Sequence, residues 1–449
     1  MNITMPPFEA EAAHPIMVYV HGGSLLYRGA NLAIFDAVNI VSHGITLGHP
    51  IVCINFNYRV GFGGFLASTS IQAELQRDGH SGCGNFGFTD QKVAFDWVQK
   101  YVSNFGGDPA RVTAVGESAG GISISSQLLA NEPAVFHRAV CMSGLAISIP
   151  AWSLEQHEKL FRAICIHFDI DPDSESSLDK LRALPEQILA DATPAIQGVP
   201  AGTGNPCIDG WYYRASPLTI QPPPSYLEAY IIGDVYHEGV IFHGNIHPSS
   251  YNGIHSTFAE HLSSSSTATA ILNLYQISND IDHDTLIARF EDLAGDIIFK
   301  IPNYLTAQRC ARLRERGKLF EYHFDTRSTL DNVLNGTAYH AHELLYLFGN
   351  LKESMSVQQQ AMADTLSAAW IHFVSGKDPW EAGEDTVMIW GKNAQWGLKT
   401  KQEDEPERGY KRFEALLEMG GESLFTKVLA AVDEIVNQRT RMGKGSALQ

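Results

Sequence analysis

One segment near residue 118 limits the fold of this chain more than any other. The apolar run at residues 112–115 predicts a buried strand, and it runs directly into residues 116–121, Gly-Glu-Ser-Ala-Gly-Gly. Residues 122–130 then favour a helix. A serine in such a turn lies at the helix N-terminus, where backbone dipoles favour developing negative charge. The segment therefore predicts that Ser118 is a nucleophile exposed in a sharp turn. The structural alternative is a glycine-rich turn in which the serine only caps the helix.

Short apolar runs recur along the chain and alternate with helical patterns. The runs that predict buried strands are residues 16–20, 51–56, 112–115, 230–232 and 319–324, and helices are predicted at 93–102 and 122–130. Alternating strands and helices indicate an α/β fold with a mostly parallel central sheet wrapped by helices. No internal repeat or charged linker divides the chain, so we predict a single domain over residues 1–449. Its sheet would carry helical, cap-like insertions at about 150–224 and 241–318.

Composition excludes several classes of function. The 449 residues include 32 Lys and Arg against 50 Asp and Glu, a net charge of −18, and a general nucleic-acid binder needs a basic surface. No stretch approaches the roughly 20 apolar residues that a membrane span requires. The first residues lack a signal-peptide pattern, so we expect a cytoplasmic protein, or a secreted one if an upstream signal peptide is missing from the sequence. The six cysteines form no metal-site spacing, and we interpret them as thiols.

A nucleophilic serine requires a base, an acid that orients the base, and N–H groups for the oxyanion. Gly22 and Gly23 follow the strand at 16–20, and the amide of Ala119 follows the serine itself. Glu238 or Asp234 could supply the acid after the strand at 230–232. His340 or His342 could supply the base, and the order serine, acid, histidine is the one expected of α/β-hydrolases.

Several motifs together resemble a known family. The segments are residues 21–24, 57–61, 105–121, 238–239 and 340–349, and their order and content are similar to the type-B carboxylesterases, which include cholinesterases and fungal lipases. The resemblance extends over nearly the whole chain. It implies an α/β-hydrolase fold and hydrolysis of carboxylic esters with no metal and no organic cofactor.

The resemblance also implies roles for individual residues. Ser118 corresponds to the nucleophile, Glu238, which directly precedes a glycine, to the acid, and His340, in a His-x-x-Glu-Leu pattern, to the base. Gly22, Gly23 and Ala119 correspond to the oxyanion donors. Two further residues are implied around them: Ser143, as a hydrogen-bond partner of the acid, and Glu117, as part of a polar network that transfers no proton.

We therefore expect a soluble serine esterase that acts on a small-molecule ester and binds no nucleic acid, with a homo-oligomer left open. One alternative is an acyl-transfer or lactone-processing hydrolase of secondary metabolism, which would keep the same three residues. Another is a non-catalytic binding module of the same fold.

The N-terminus departs from the family pattern. Only about 15 residues precede the strand at 16–20, whereas the family carries a much longer segment there, so the strand at 51–56 becomes a sheet edge. An apolar edge without proline or lysine pairs readily with another chain. We predict that this edge is covered by N-terminal residues or by a second subunit, or that the natural protein starts upstream of Met1.

Overall fold

A computed structural model of the chain describes residues 1–9, 11–192, 204–213, 223–312, 317–383 and 385–437. The strands within these residues are β1 Asn2–Thr4, β2 His14–Val20, β3 Val52–Asn55, β4 Gly107–Glu117, β5 Arg138–Met142, β6 Trp152–Ser153, β7 Cys207–Ile208, β8 Ala229–Val235, β9 Lys318–Phe324, β10 Thr386–Trp390 and β11 Trp396–Thr400.

The helices surround these strands. They are α1 Val38–Thr46, α2 Gly61–Phe65, α3 Thr69–Arg77, α4 Phe86–Tyr101, α5 Ala119–Leu129, α6 Leu154–His167, α7 Ser177–Arg182, α8 Glu186–Ala192, α9 His243–Ile246, α10 Tyr251–Leu262, α11 Ser265–Leu274, α12 His283–Gly295, α13 Ile301–Arg312, α14 Glu343–Phe348, α15 Val357–Val374, α16 Lys401–Arg408, α17 Tyr410–Glu418 and α18 Gly421–Val436. A π-helix, Asp296–Lys300, joins α12 to α13, and short 3-10 helices lie at Ala33–Phe35, Val102–Phe105, Ala146–Ser148, Glu238–Phe242 and Lys352–Ser354.

The main sheet has the order β1-β3-β2-β4-β5-β8-β9-β10-β11. Neighbours from β3 to β10 run parallel, and β1 and β11 pair antiparallel at the two ends. Central strands such as β8 are buried along their whole length, because helices cover both faces. The predicted α/β-hydrolase fold, a mostly parallel sheet wrapped by helices, is thereby confirmed.

The carboxyl ends of the parallel strands meet at one edge of the sheet, as in other α/β folds. β2 ends just before the glycines at 22 and 23, β4 ends just before Ser118, and β8 ends three residues before Glu238. The residues predicted to act together are therefore brought to the same edge by the topology.

Helical segments lie where insertions into the sheet were predicted. Helices α6 to α8 occupy 154–192, and α9 to α13 occupy 243–312 and pack with α18 into an apolar cluster that includes Phe258, Phe290 and Phe425. Parts of both predicted insertions, at 193–203, 214–222 and 313–316, lie outside the described residues. The assignment of the chain to a single domain stays a prediction. Within the described residues no helix combines the length and the apolar character needed to cross a bilayer.

The edge next to β3 is covered by the N-terminal residues. β1 pairs antiparallel with β3, with Asn2 opposite Asn55 and Thr4 opposite Cys53. This is the first of the alternatives predicted for that edge. The edge of the sheet is consequently a strand of three residues, and a short edge strand offers little template for another chain.

Candidate active site

Ser118 lies in a tight turn between β4 and α5. Its backbone has φ 55° and ψ −125°, which a non-glycine residue rarely adopts. Two glycines make the turn sterically feasible: a Cβ on Gly116 would lie 2.5 Å from the carbonyl carbon of Gly120, and one on Gly120 would lie 2.0 Å from the carbonyl oxygen of Val20. The predicted strand-turn-helix geometry is therefore present, and the serine starts the helix.

The glycine loop after β2 lies against this turn. A Cβ on Gly22 would be 3.1 Å from the Cβ of Ser118 and 2.7 Å from the carbonyl oxygen of Glu117, so only glycine permits this approach. Gly23 follows in the left-handed region with φ 115° and forms the turn towards Tyr27. Gly22 and Ala119 thus both adjoin Ser118, and Gly23 is next to them in the loop.

Glu238 and His340 form the tightest polar contact of the site. The Nδ1 atom of His340 lies 2.5 Å from Oε2 of Glu238, and the backbone N–H of Val235 donates to Oε1 of Glu238 at 2.9 Å. The ring of His340 also packs against Phe299, with 4.8 Å between ring centroids. The carboxylate and the aromatic ring together fix the imidazole, so that its Nε2 atom is directed towards the serine turn.

The Nε2 atom of His340 is not hydrogen-bonded to Ser118. It lies 3.1 Å from Oε1 of Glu117, and it has no hydrogen-bond partner among the described residues. Both carboxylate oxygens of Glu117 likewise lack a hydrogen-bond partner there. Glu117 therefore occupies the side of the imidazole that would face a nucleophile. Its predicted role, as part of a polar network that transfers no proton, stays a prediction.

These buried charges perturb one another. Burial lowers the pKa of His340, but the charges of Glu117 and Glu238 raise it by more, to about 9. Burial raises the pKa of Glu117 to about 7, although the charge of His340 opposes the shift. Clusters of perturbed groups in a cleft are typical of functional sites.

The predicted partner of Ser143 is different in the structure. Its hydroxyl donates to Oε1 of Glu343 at 3.4 Å, and not to Glu238, which was expected to receive it. Tyr322 donates to the same oxygen at 3.3 Å, and burial raises the pKa of Glu343 to about 8. Ser143 therefore orients a second buried carboxyl group behind the site. Glu343 was missed by sequence reasoning, although its place in the His-x-x-Glu-Leu pattern could have pointed to it.

Asp234 and His342, the alternative candidates for the acid and the base, contact other groups. Asp234 is fully buried and bound to Arg408 at 2.6 Å and to Asn303 at 3.0 Å. His342 has its Nδ1 atom 3.1 Å from the carbonyl oxygen of Thr326, and burial lowers its pKa to about 4. Of the two acids and the two histidines, the structure brings only Glu238 and His340 into contact with each other.

A pocket of about 80 Å³ opens beside Ser118. Most of its lining is apolar, from Leu26, Ile122, Ile149, Ile241, Phe242, Ile298, Phe299 and Val436. Asp433 and Asn437 add polar groups from the end of α18, and Asn437 donates to Asp433 at 2.8 Å. Nothing in the sequence pattern assigned α18 to the pocket, because its contact depends on packing between remote helices. In the described part of the chain, no three His, Cys, Asp or Glu side chains are placed to hold a metal ion.

The sheet topology together with the serine turn at its carboxyl edge defines an α/β-hydrolase. The family model described as "Carboxylesterase family" matches residues 1–409, and the chain belongs to that family.

Similar proteins agree with this family assignment. Lipase 3 of Yarrowia lipolytica is 25% identical over 418 residues, which cover 91% of this chain and 76% of that protein. The bile salt-activated lipase of Bos taurus is 27% identical over 440 residues, covering 90% of this chain and 69% of that protein. A solved structure of a PNB esterase shares the fold with a TM-score of 0.73 and 24% identity, covering 92% of this chain and 84% of its own. The protein is a carboxylic ester hydrolase, which sets aside the non-catalytic alternative.

Proposed function

We propose that the chain hydrolyses carboxylic esters through an acyl-enzyme on Ser118, with His340 as the base and Glu238 as the acid that orients it. The observation that carries the proposal is the 2.5 Å contact between His340 Nδ1 and Glu238 Oε2. It forms at the sheet edge where the turn presents Ser118. A carboxylate on Nδ1 leaves Nε2 as the atom that can accept a proton.

In the first half of the reaction, His340 Nε2 takes the hydroxyl proton of Ser118 as the oxygen attacks the ester carbonyl. The backbone N–H groups of Gly22, Gly23 and Ala119 would then hold the oxyanion, because they belong to the loop and the helix start that adjoin the serine. His340 returns the proton to the leaving alcohol, and the acyl group stays on Ser118.

In the second half, His340 takes a proton from water as the water oxygen attacks the acyl-enzyme. The bond to Ser118 then breaks, His340 returns the proton to the Ser118 oxygen, and the carboxylic acid leaves. For either half, Nε2 must turn its contact from Glu117 to the reacting oxygen. Catalytic hydrogen bonds that are absent in a free enzyme often form only with substrate bound. The apolar pocket next to Ser118 would hold the acyl chain of a small-molecule ester.

The first test is Ser118→Ala. We expect kcat to fall on the order of 10⁴ to 10⁶ on a p-nitrophenyl ester, because the nucleophile is lost. Ser125→Ala is the matched control, since Ser125 lies on the same helix and its hydroxyl only donates back to the carbonyl oxygens of Gly121 and Ile122. A Ser118→Ala enzyme with more than a tenth of normal activity would contradict the proposal. So would an organophosphate adduct that maps to another residue.

The two histidines provide a second, independent test. His340→Ala should lower kcat almost as far as the serine variant, because no other described imidazole contacts Glu238. His342→Ala should leave kcat within a few-fold, since its ring is held at the carbonyl oxygen of Thr326. The reverse pattern would show that His342 is the base.

A further inference from the structure

Two buried cysteines from distant parts of the chain touch beside the pocket wall. The sulfur atoms of Cys83 and Cys207 are 3.6 Å apart, although 124 positions separate the two residues in the sequence. Both side chains are fully buried, and Ala67 and Leu154 pack around them. Sulfur atoms at this separation are in van der Waals contact, and a small rotation of each side chain would bring them to the roughly 2 Å of a bond.

The backbone around the two sulfur atoms is already fixed. The side-chain amide of Asn85 donates to the carbonyl oxygen of Cys207 at 2.9 Å, and its oxygen accepts from the N–H of Cys207 at 2.8 Å. Gly84 lies so close that a Cβ there would be 3.3 Å from the Cβ of Cys207. These contacts hold the two segments side by side and keep the two sulfur atoms within reach of each other.

The segment that carries Cys207 also forms part of the site. Gly204 and Asn205 line the pocket with Ser118, and Gly204 packs on the loop after the oxyanion glycines, where a Cβ would be 2.6 Å from the carbonyl oxygen of Ser24. Cys207 then pairs with Trp152 in a separate two-stranded sheet, which β6 and β7 form. A covalent link at Cys207 would therefore anchor the wall of the pocket to the start of α4.

We propose that Cys83 and Cys207 form a disulfide when the protein meets an oxidising environment, and that this cross-link braces the pocket wall. In the structure all six cysteines are free thiols, as interpreted from the sequence, and the proposal concerns what two of them become on oxidation. It makes no use of the assignment of Ser118, Glu238 or His340.

The chemistry balances with a low-molecular-weight disulfide as the oxidant. Because both sulfur atoms are buried, the exchange takes place when their segment opens locally. A thiolate then attacks oxidised glutathione and forms a mixed disulfide while one glutathione thiol leaves. The second cysteine then attacks the mixed disulfide, the protein S–S bond forms and the second glutathione thiol leaves. The protein loses two protons and two electrons, and the glutathione disulfide is reduced to two thiols.

The electrostatics of the pair agree with this order of steps. The contact with Cys207 lowers the pKa of Cys83, whereas burial raises the pKa of Cys53 and of Cys141 to about 12. A thiol with a lowered pKa provides more of the attacking thiolate. The close contact thus favours loss of the first proton from the pair, because the remaining S–H can donate to the thiolate.

The test treats the purified, reduced full-length chain with oxidised glutathione, alkylates the remaining thiols and maps the peptides without reduction. We expect a peptide pair that joins Cys83 to Cys207, an intact mass lower by two hydrogen atoms, and a Tm about 3–5 °C higher, since the link closes a long loop. After heating to a temperature between the two Tm values, the oxidised enzyme should retain more hydrolysis than the reduced enzyme.

Single variants separate this pair from the other cysteines. Cys83→Ala and Cys207→Ala should show no Tm response to the oxidant, and Cys165→Ala, a buried cysteine on α6, should respond like the unmodified chain. Alkylated Cys83 and Cys207 in the oxidised sample, or a bond from either to a third cysteine, would overturn the proposal. The peptide map of the unmodified chain decides this even if a variant fails to fold.

Discussion

His340 lies between two buried carboxylates that act on different atoms of its ring. Glu238 fixes Nδ1 at 2.5 Å, whereas Glu117 lies 3.1 Å from Nε2, the atom that must reach Ser118. His340 can act as the proposed base only in its neutral form. The charges that orient the ring also hold a proton on it, so under the proposed mechanism the loss of that proton sets the pH at which the site becomes active.

Glu117→Gln should move the pH profile. Removing this charge lowers the pKa of His340, so the neutral imidazole appears at a lower pH and the acid limb of kcat/KM shifts to lower pH. The measurement is kcat/KM on one neutral ester across the pH range, fitted for the apparent pKa of the acid limb. Glu321→Gln is the control, because Glu321 is buried but pairs with Lys401. An acid limb that stays in place in Glu117→Gln would show that Glu117 does not govern the histidine.

Substitutions at Glu238 and at Asp234 should have different effects, the first on catalysis and the second on stability. Glu238→Gln should lower kcat on the order of 10⁴, because an amide no longer holds the imidazole in the required tautomer. Asp234→Asn should leave kcat within a few-fold but lower the free energy of unfolding by about 3 kcal/mol, since it removes one partner of the buried pair with Arg408. Kinetics and urea unfolding of both variants check this, and a large loss of kcat in Asp234→Asn would leave the acid unassigned.

The ion pair between Asp234 and Arg408 also makes the stability of the fold depend on pH, in a direction that can be predicted. Burial raises the pKa of Asp234, but the charges of Arg408, His323 and Lys300 together outweigh burial, and the pKa lies below its ordinary value. A carboxyl group with a lowered pKa stabilises the fold above its unfolded pKa and loses that contribution as the pH falls. Asp234→Asn should therefore flatten the decline of Tm below about pH 4.

Among the secondary-structure elements, the short apolar runs were the ones that the sequence predicted well. β2, β3, β4, β8 and β9 all occur where such runs stand, because a strand buried on both faces is a continuous apolar run. β5 and β10 are also mostly buried but were not predicted, and neither was β11. β11 is largely solvent-exposed, and its strand form depends on the antiparallel pairing with β10, which the local sequence does not encode.

In the site, too, some features could be predicted from local sequence and others depend on tertiary contacts. The order of a serine, an acid and a histidine was readable, because candidates for each follow strand ends along the chain. The choice of Glu238 over Asp234 and of His340 over His342 came from the resemblance to the family. The partner of Ser143 was not readable, since Ser143 and Glu343 lie 200 positions apart and their contact depends on the packing of β5 against the start of α14. Contacts of that kind are fixed by tertiary packing, not by local pattern.

The junction of β2 and α5 provides a prediction about packing. Gly120→Ala should destabilise the protein by about 1–3 kcal/mol and reduce activity, because the new methyl would overlap the carbonyl oxygen of Val20 and displace α5 with Ser118. Gly253→Ala should be neutral or stabilising, since Gly253 is exposed in α10 and a Cβ there meets only the Ser250 hydroxyl at 3.5 Å. Thermal unfolding and kcat of both variants measure the contrast. Equal effects would contradict the account of the serine turn.

The dimensions of the pocket predict the preferred substrates of the protein. Its 80 Å³ is smaller than the roughly 150 Å³ cavity that accommodates benzene, so we expect room for an acyl chain of only a few carbons. Each methylene that fits should raise kcat/KM about four-fold, from about 0.8 kcal/mol of burial. Beyond butyrate or so, kcat/KM should fall.

A series of p-nitrophenyl esters from acetate to decanoate measures this, with the leaving group constant so that only the acyl chain changes. If kcat/KM continues to rise through decanoate, the acyl chain is not confined by this pocket.

The π-helix at Asp296–Lys300 sets the direction in which Phe299 faces. Each of its hydrogen bonds encloses one residue more than an α-helical bond, so it amounts to an α-helix with one residue added. Deleting that residue would turn one side of the helix relative to the other by about 100°, the angle between successive residues of an α-helix. The aromatic wall beside the ring of His340 therefore depends on a single residue of helix length.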